Sequence, residues 1–168
     1  NNKPKWGGKY LRAPEIYSIL KNKANKKLIP LKDCCEVKFG IKSGANNFFY
    51  LNDRDIEKWK IEPEFLKPFL YSFKEVRKLR IKETCLKKKL FICHLSKHEL
   101  VNRNFNNTLQ YIKWGETEKF HLRPSINKRV NWYTLPQQGE INFVSNRFLG
   151  ERFGFPVIED IPVCDVFF

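Results

Sequence analysis

Lys42, Ser43, Asn46 and Asn47 crowd hydrogen-bonding side chains into a stretch bracketed by Gly40 and Gly44. A lysine and a hydroxyl suit a phosphate, and an asparagine amide suits the N6/N7 edge of an adenine. The glycines let the backbone take conformations closed to other residues and approach a ligand closely. A second set follows in Arg123-Pro124-Ser125-Ile126-Asn127-Lys128-Arg129. Arg123 and Arg129 could take guanine bidentately or clamp phosphate, and Ser125, Asn127 and Lys128 suit either task. Lys113, near the end of an aromatic helix segment, is a candidate backbone contact, and Arg77, Lys78 and Arg80 form a denser phosphate-binding patch. Arg147 sits between Asn146 and Phe148, where a charge calls for a partner. Trp132 could act as a wedge or stacking platform, but its expected place is the core.

The remainder of the chain favours a polyanionic partner. Its 168 residues carry 32 Lys+Arg against 18 Asp+Glu, a net charge of +14, more than solubility requires. With 42% hydrophobic residues it is no disordered tail, and its length fits one domain, or one plus a partial second. The aromatic share of 15% leaves rings to spare for stacking on a partner. No apolar run is long enough for a bilayer, and the best membrane-surface candidate, Glu15 to Lys27, is short with a weak apolar face. Nucleic acid is therefore the partner expected. Five cysteines without repeated spacing argue against a disulfide framework and for a reducing cytoplasm. A chain opening on Asn1 and closing on Val166-Phe167-Phe168 reads as a piece of a larger protein.

The elements that must position these groups are short. Residues 1–12 read as a basic connector. Pro14 can open a helix to about Lys23 with Ile16, Ile19 and Leu20 as its apolar stripe, and Asn22 to Lys27 reads as a basic loop. The alternation of Cys35, Val37, Phe39 and Ile41 with polar partners predicts a half-buried strand. After the polar tip, Phe48 to Leu51 would continue as a second strand, making residues 39–50 a hairpin. Asn52 can cap a helix through Trp59, and Pro63 can open a helical turn near Phe65. Leu90 to Leu95 reads as a buried strand, and Asn107 to Trp114 as a helix ended by Gly115. Trp132–Leu135 and Ile141–Val144 are strand candidates about a turn. The elements do not alternate as βαβ units, so the expected class is α+β, a mixed twisted β-sheet with peripheral short helices.

Other chemistries find less support. Cys93, His94 and His98 make half a zinc site without paired spacing. Asp33, Glu36 and Lys38 faintly echo a metal-dependent nuclease strand, an alternative to DNA recognition. A second alternative is a single-stranded RNA module stacking bases on Phe48, Phe49 and Trp132. No Walker loop, dinucleotide fingerprint or Ser/His/Asp arrangement is present. The catalytic and metal sets are accordingly expected to be empty.

Five segments, in order, carry a resemblance: Lys5 to Pro14, Val37 to Tyr50 with its Gly-Ile-Lys-Ser-Gly-Ala-Asn-Asn-Phe-Phe-Tyr run, Ile61 to Pro68, Tyr111 to Glu116, and Arg123-Pro124-Ser125 through Trp132-Tyr133. Together they resemble the TaqI-like C-terminal specificity domain of N6-adenine DNA methyltransferases and fused restriction–modification enzymes, over roughly Lys5 to Arg147. The resemblance implies that residues 1–168 form a target-recognition domain reading a specific sequence in double-stranded DNA. It implies a methyltransferase domain of the same parent chain as partner. That domain would bind S-adenosylmethionine and hold a flipped adenine with an Asn/Asp-Pro-Pro-Tyr/Phe motif, which this chain lacks. The parent is expected to be a site-specific adenine DNA methyltransferase, in some arrangements with endonuclease activity. No cofactor is expected in this fragment, which by itself should neither methylate nor cut. The stretch expected after Phe168 is absent from the sequence, and the family's base-reading residues vary with the target, so positions are implied but not bases.

Overall fold

The computed structural model describes residues 15–24, 27–36, 38–76, 78–136, 141, 143–145 and 156–157, with the backbone of 158 and 163–164. The chain divides into two units, Asn1–Val37 and Lys38–Phe168. In the first, helix α1 (Glu15–Ala24) carries Glu15 in its first turn and Lys21 and Lys23 in its last, charges that suit the helix dipole. The backbone N–H groups of Lys27 and Leu28 donate to the Ala24 carbonyl at its end. Its expected stripe is present, but Ile16, Ile19 and Leu20 all remain exposed. One further turn, α2 (Leu31–Cys34), follows Pro30.

The second unit is built on a mixed sheet. Strand β1 (Tyr50–Leu51) pairs antiparallel with β4 (Lys88–Phe91), and β4 pairs antiparallel with β2 (Leu66–Leu70). On the other edge of β2, β6 (Val163–Cys164) runs parallel, giving the order β1-β4-β2-β6. A separate parallel pair joins β3 (Arg80–Ile81) to β5 (Val157–Ile158) over a small core of Leu70, Ile81 and Val144. The α+β class and the mixed sheet with short peripheral helices are as expected.

The helices follow local chemistry. Helix α3 (Asn46–Phe49) is one turn, with Phe48 and Phe49 on its buried side. Helix α4 (Asp53–Trp59) starts where predicted: the Asn52 side chain accepts from the Asp55 N–H, and Asp55 accepts from the Asn52 N–H. Ser96 and Glu99 make the same reciprocal pair at α5 (Lys97–Asn102). Helix α6 (Asn106–Thr117) lacks a local cap. Glu62, 45 residues upstream, accepts instead from the N–H groups of Asn107 and Thr108 and from the Thr108 hydroxyl. Anchoring a helix N-terminus with a carboxylate satisfies donors the helix cannot pair itself and suits its dipole.

Several expectations are corrected. Among the described residues 35–43 there is no strand, and 46–49 is helical, so the hairpin does not form. Instead the Phe48 and Phe49 N–H groups both donate to the Ala45 carbonyl, closing a helical turn whose two rings are wholly buried. Gly115 lies inside α6 rather than ending it. A Cβ there would stand 2.5 Å from Trp132 Cη2 and 2.6 Å from Phe48 Cε2, so the glycine makes room for two rings. Residues 63–70 form a 3-10 turn (Pro63–Phe65) and then β2, and the buried strand near 90 ends at Phe91. Trp132–Leu135 is turn and coil, and among the described residues of the Ile141–Val144 candidate there is an isolated bridge from Phe143 to Val157 and no longer strand.

Two tests follow from this packing. Gly115→Ala should destabilise the domain by about 1–3 kcal/mol, read as a lower urea midpoint with an unchanged slope. Glu116 accepts hydrogen bonds from Trp132 Nε1 at 3.0 Å and from Lys97. Burial pushes its carboxyl up, but these bonds and the nearby Lys97 and His121 charges outweigh burial and hold it below its ordinary value of 4.5. A depressed carboxylate stabilises the fold above its unfolded pKa and loses that contribution as pH falls through the folded one. Stability should therefore decline below about pH 4.5, and Glu116→Gln should flatten part of that decline in unfolding curves taken across pH.

Candidate nucleic-acid interface

The two predicted donor segments meet at Gly44. Its φ of +79° is a left-handed conformation that favours glycine. A Cβ on it would also stand 2.7 Å from Ser125 Oγ and 2.8 Å from Ile126 Cγ1. This close approach lets Ser125 Oγ donate to the Gly44 carbonyl at 3.4 Å and Arg123 Nη1 reach it at 3.5 Å. The opposing turn is built on itself, with Ile126 N and Asn127 N donating to the Arg123 carbonyl and Arg129 N donating to that of Ile126. Ile126, wholly buried, anchors it from below.

Arg129 closes the junction. Its Nη2 donates to the carbonyls of Ser43 at 2.9 Å and Lys42 at 3.2 Å, and its Nη1 donates to the Thr134 carbonyl at 3.2 Å. Its guanidinium also lies 5.8 Å from the Phe49 ring centroid. Burial lowers its pKa from the usual value, yet a guanidinium stays charged at neutral pH. The fork predicted for guanine or phosphate is thus committed to backbone carbonyls. Arg123 remains exposed, stacked 4.6 Å from the Phe120 centroid.

Around the junction Lys42, Asn46, Asn47, Arg123, Ser125, Asn127 and Lys128 are all exposed. Ser43 is not: at 1% exposure its hydroxyl accepts from the Ala45 N–H at 3.2 Å and donates to Asn46 Oδ1. Direct phosphate contact by Ser43 is therefore corrected to an internal role. Lys78, before β3, and Lys113, on the outer side of α6, are exposed, but no described contact brings either to Gly44. Arg77 and Arg147 lie outside the described residues.

The alternatives fare differently. Phe48 and Phe49 are at 0% exposure and Trp132 at 8%, so the proposed RNA-stacking platform is not available. Trp132 is core, as expected, its centroid 4.6 Å from that of Phe48. Among the described residues no group of three His, Cys, Asp or Glu side chains could hold a metal ion. Cys93 is buried with its thiol pushed up to about 11 by desolvation, as for an inert core cysteine. No described helix is long and apolar enough to cross a membrane.

Sequence reasoning missed the cavity beside the junction. It has a volume of about 390 Å³ and is lined by His94, Arg129, Val130, Asn131, Thr134, Leu135 and Pro136. Arg129 and His94 stand out among these by residue type, but nothing in the spacing of the seven signals that they meet.

A family model described as the type II methyltransferase M.Eco57I C-terminal domain matches residues 3–149. No curated protein and no solved structure matches the chain.

Arg129→Ala should strip a charged donor from three carbonyls and lower unfolding stability by about 1–3 kcal/mol. Arg129→Lys should recover only a fraction of it, since an ammonium cannot reproduce the planar fork. Lys128→Ala, on the surface beside it, should stay within about 0.5 kcal/mol of the parent in the same urea titration.

Proposed function

The chain belongs to the family of the type II methyltransferase M.Eco57I C-terminal domain, and from that premise we propose that it reads a specific sequence in double-stranded DNA for a site-specific adenine methyltransferase. The observation that carries this reading is the junction at Gly44, which gathers Lys42, Asn46 and Asn47 with Arg123, Ser125, Asn127 and Lys128, from two segments joined by a contact that spans 79 residues. Lys42, Arg123 and Lys128 supply charge to phosphates, and the amides and the Ser125 hydroxyl sample base edges. Lys78 and Lys113, both exposed, are assigned as secondary phosphate contacts.

Chemistry on the adenine belongs to a methyltransferase domain of the same parent, which supplies S-adenosylmethionine, works in the cytoplasm and in a fused enzyme is joined by an endonuclease. No residue of this chain is assigned to the cofactor. The domain's role is to fix register on the duplex so that the target base meets that catalytic site.

Duplex affinity measured across salt concentrations should fall with a log–log slope of about −0.9 per phosphate contacted. The triple variant Lys42→Ala, Arg123→Ala, Lys128→Ala should flatten that slope by up to about 3. Salt-insensitive binding, no binding at low salt, or preference for single-stranded RNA over duplex in competition would each reject the reading.

A further inference from the structure

We propose that Asn46 and Asn47, adjacent in sequence, read opposite kinds of base edge, and that the buried Ser43 hydroxyl sets the difference. This rests on the duplex-reading function above and deepens it.

The two side chains begin alike: both are exposed and both sit in the first half of the single turn α3, whose other half is buried as Phe48 and Phe49. They differ in what holds them. The Ser43 hydroxyl donates to Asn46 Oδ1 while accepting from the Ala45 N–H. The Ser43 hydroxyl has two lone pairs but a single proton, and that proton needs an acceptor whatever the lone pairs receive. Turning the Asn46 amide over would leave that proton unpaired in a site of 1% exposure. The oxygen end of the Asn46 amide therefore faces the protein, and Nδ2 is the end offered outward. A carbonyl oxygen can accept twice, but a base amino group would have to approach this one beside a buried hydroxyl. Among the described residues the Asn47 amide makes no hydrogen bond, so both of its ends are open.

Base edges sort on this difference. The adenine edge presents a donor and an acceptor, N6 and N7, and takes an amide through both ends. Asn47 is equipped for that pairing. Asn46 offers donors only, which matches an edge built of acceptors, namely guanine O6/N7 or thymine O4. Ser43 acts as a positioning residue: it touches no DNA and determines which end of Asn46 does.

The test is selection from a randomised duplex library by the 168-residue chain and by Asn46→Ala, Asn47→Ala and Ser43→Ala. Asn47→Ala should cut discrimination at one adenine position by about tenfold or more. Asn46→Ala should spare that position and relax a different one, at which the parent prefers guanine or thymine. Ser43→Ala should admit adenine at the Asn46 position; a uniform loss across all positions would reduce Ser43 to a packing role. Loss of the adenine position in Asn46→Ala, or an unchanged motif in Asn47→Ala, would overturn the division of labour while leaving DNA reading intact. A parent chain that enriches no motif would instead overturn the function on which it rests. Both asparagines lie on the surface, so the decision does not hang on whether Ser43→Ala folds.

Discussion

The close approach of two backbones at Gly44 is the constraint from which the rest of the surface follows. Residues 42–47 and 123–129 carry no strand pairing to one another, so nothing in regular secondary structure holds them side by side. What does so is a set of carbonyls, those of Lys42, Ser43 and Gly44, receiving donors from Arg123, Ser125 and Arg129. Charged donors make the stronger hydrogen bonds, and a guanidinium can serve several acceptors in fixed directions. Gly44 is what allows the distance, because both its φ and the atoms facing it exclude a side chain. Committing one half-buried arginine to backbone carbonyls in this way fixes the positions from which Lys42, Asn47, Arg123 and Lys128 face outward.

That junction in turn stands on the aromatic core. Phe48 has the rings of Phe49, Phe91, Tyr111 and Trp132 within 5.5 Å, three of them edge-on or tilted and Tyr111 stacked. The Tyr111 hydroxyl donates to the Phe48 carbonyl, and Gly115 opens the space that Phe48 and Trp132 fill. Because α3 is a single turn, the residues that bury the rings and those that present the amides are immediate neighbours. Packing of Phe48 and Phe49 therefore orients Asn46 and Asn47, with no flexible loop between core and surface. A rigid origin of this kind is what base discrimination needs, since side chains held on fixed elements lose less entropy on contact.

How much of this is legible in the sequence depends on how local the cause is. The capped helix at Asn52 is written within the four residues from Asn52 to Asp55 and can be read from them. The mixed α+β class follows from the absence of βαβ alternation. Residue types mark both donor segments, because clustered amides and cations are a local signal. Their meeting at Gly44 is not legible, since it depends on a contact spanning 79 residues. The hairpin fails for a related reason. Alternation at 35–41 and apolar residues at 48–51 satisfy a strand template, but the rings that surround Phe48 come from Phe91, Tyr111 and Trp132, far along the chain. Gly115 misleads in the same way, because its constraint comes from rings far along the chain and not from the helix's own end. Ser43 and Arg129 are plainly polar, but a sequence cannot say whether a hydrogen-bonding group faces solvent or a neighbouring carbonyl.

The aromatic content bears on which nucleic acid suits the surface. A chain with 15% aromatic residues raises the expectation of rings stacking on splayed bases. Here the described tryptophans Trp59, Trp114 and Trp132 join the rings of one buried or half-buried network, and the exposed side chains at the junction are amides, a hydroxyl and cations, with one exposed ring, Phe39, 5.5 Å from Lys42 Nζ. Stacking platforms reward an unpaired strand whose base faces are free. Hydrogen-bonding groups on a rigid turn reward base edges already held in register, which a duplex provides and a single strand does not. The aromatic residues thus act indirectly, by fixing the turn from which polar groups reach. This distribution, with most rings inside and most donors outside, supports the proposed duplex reading over a single-stranded one.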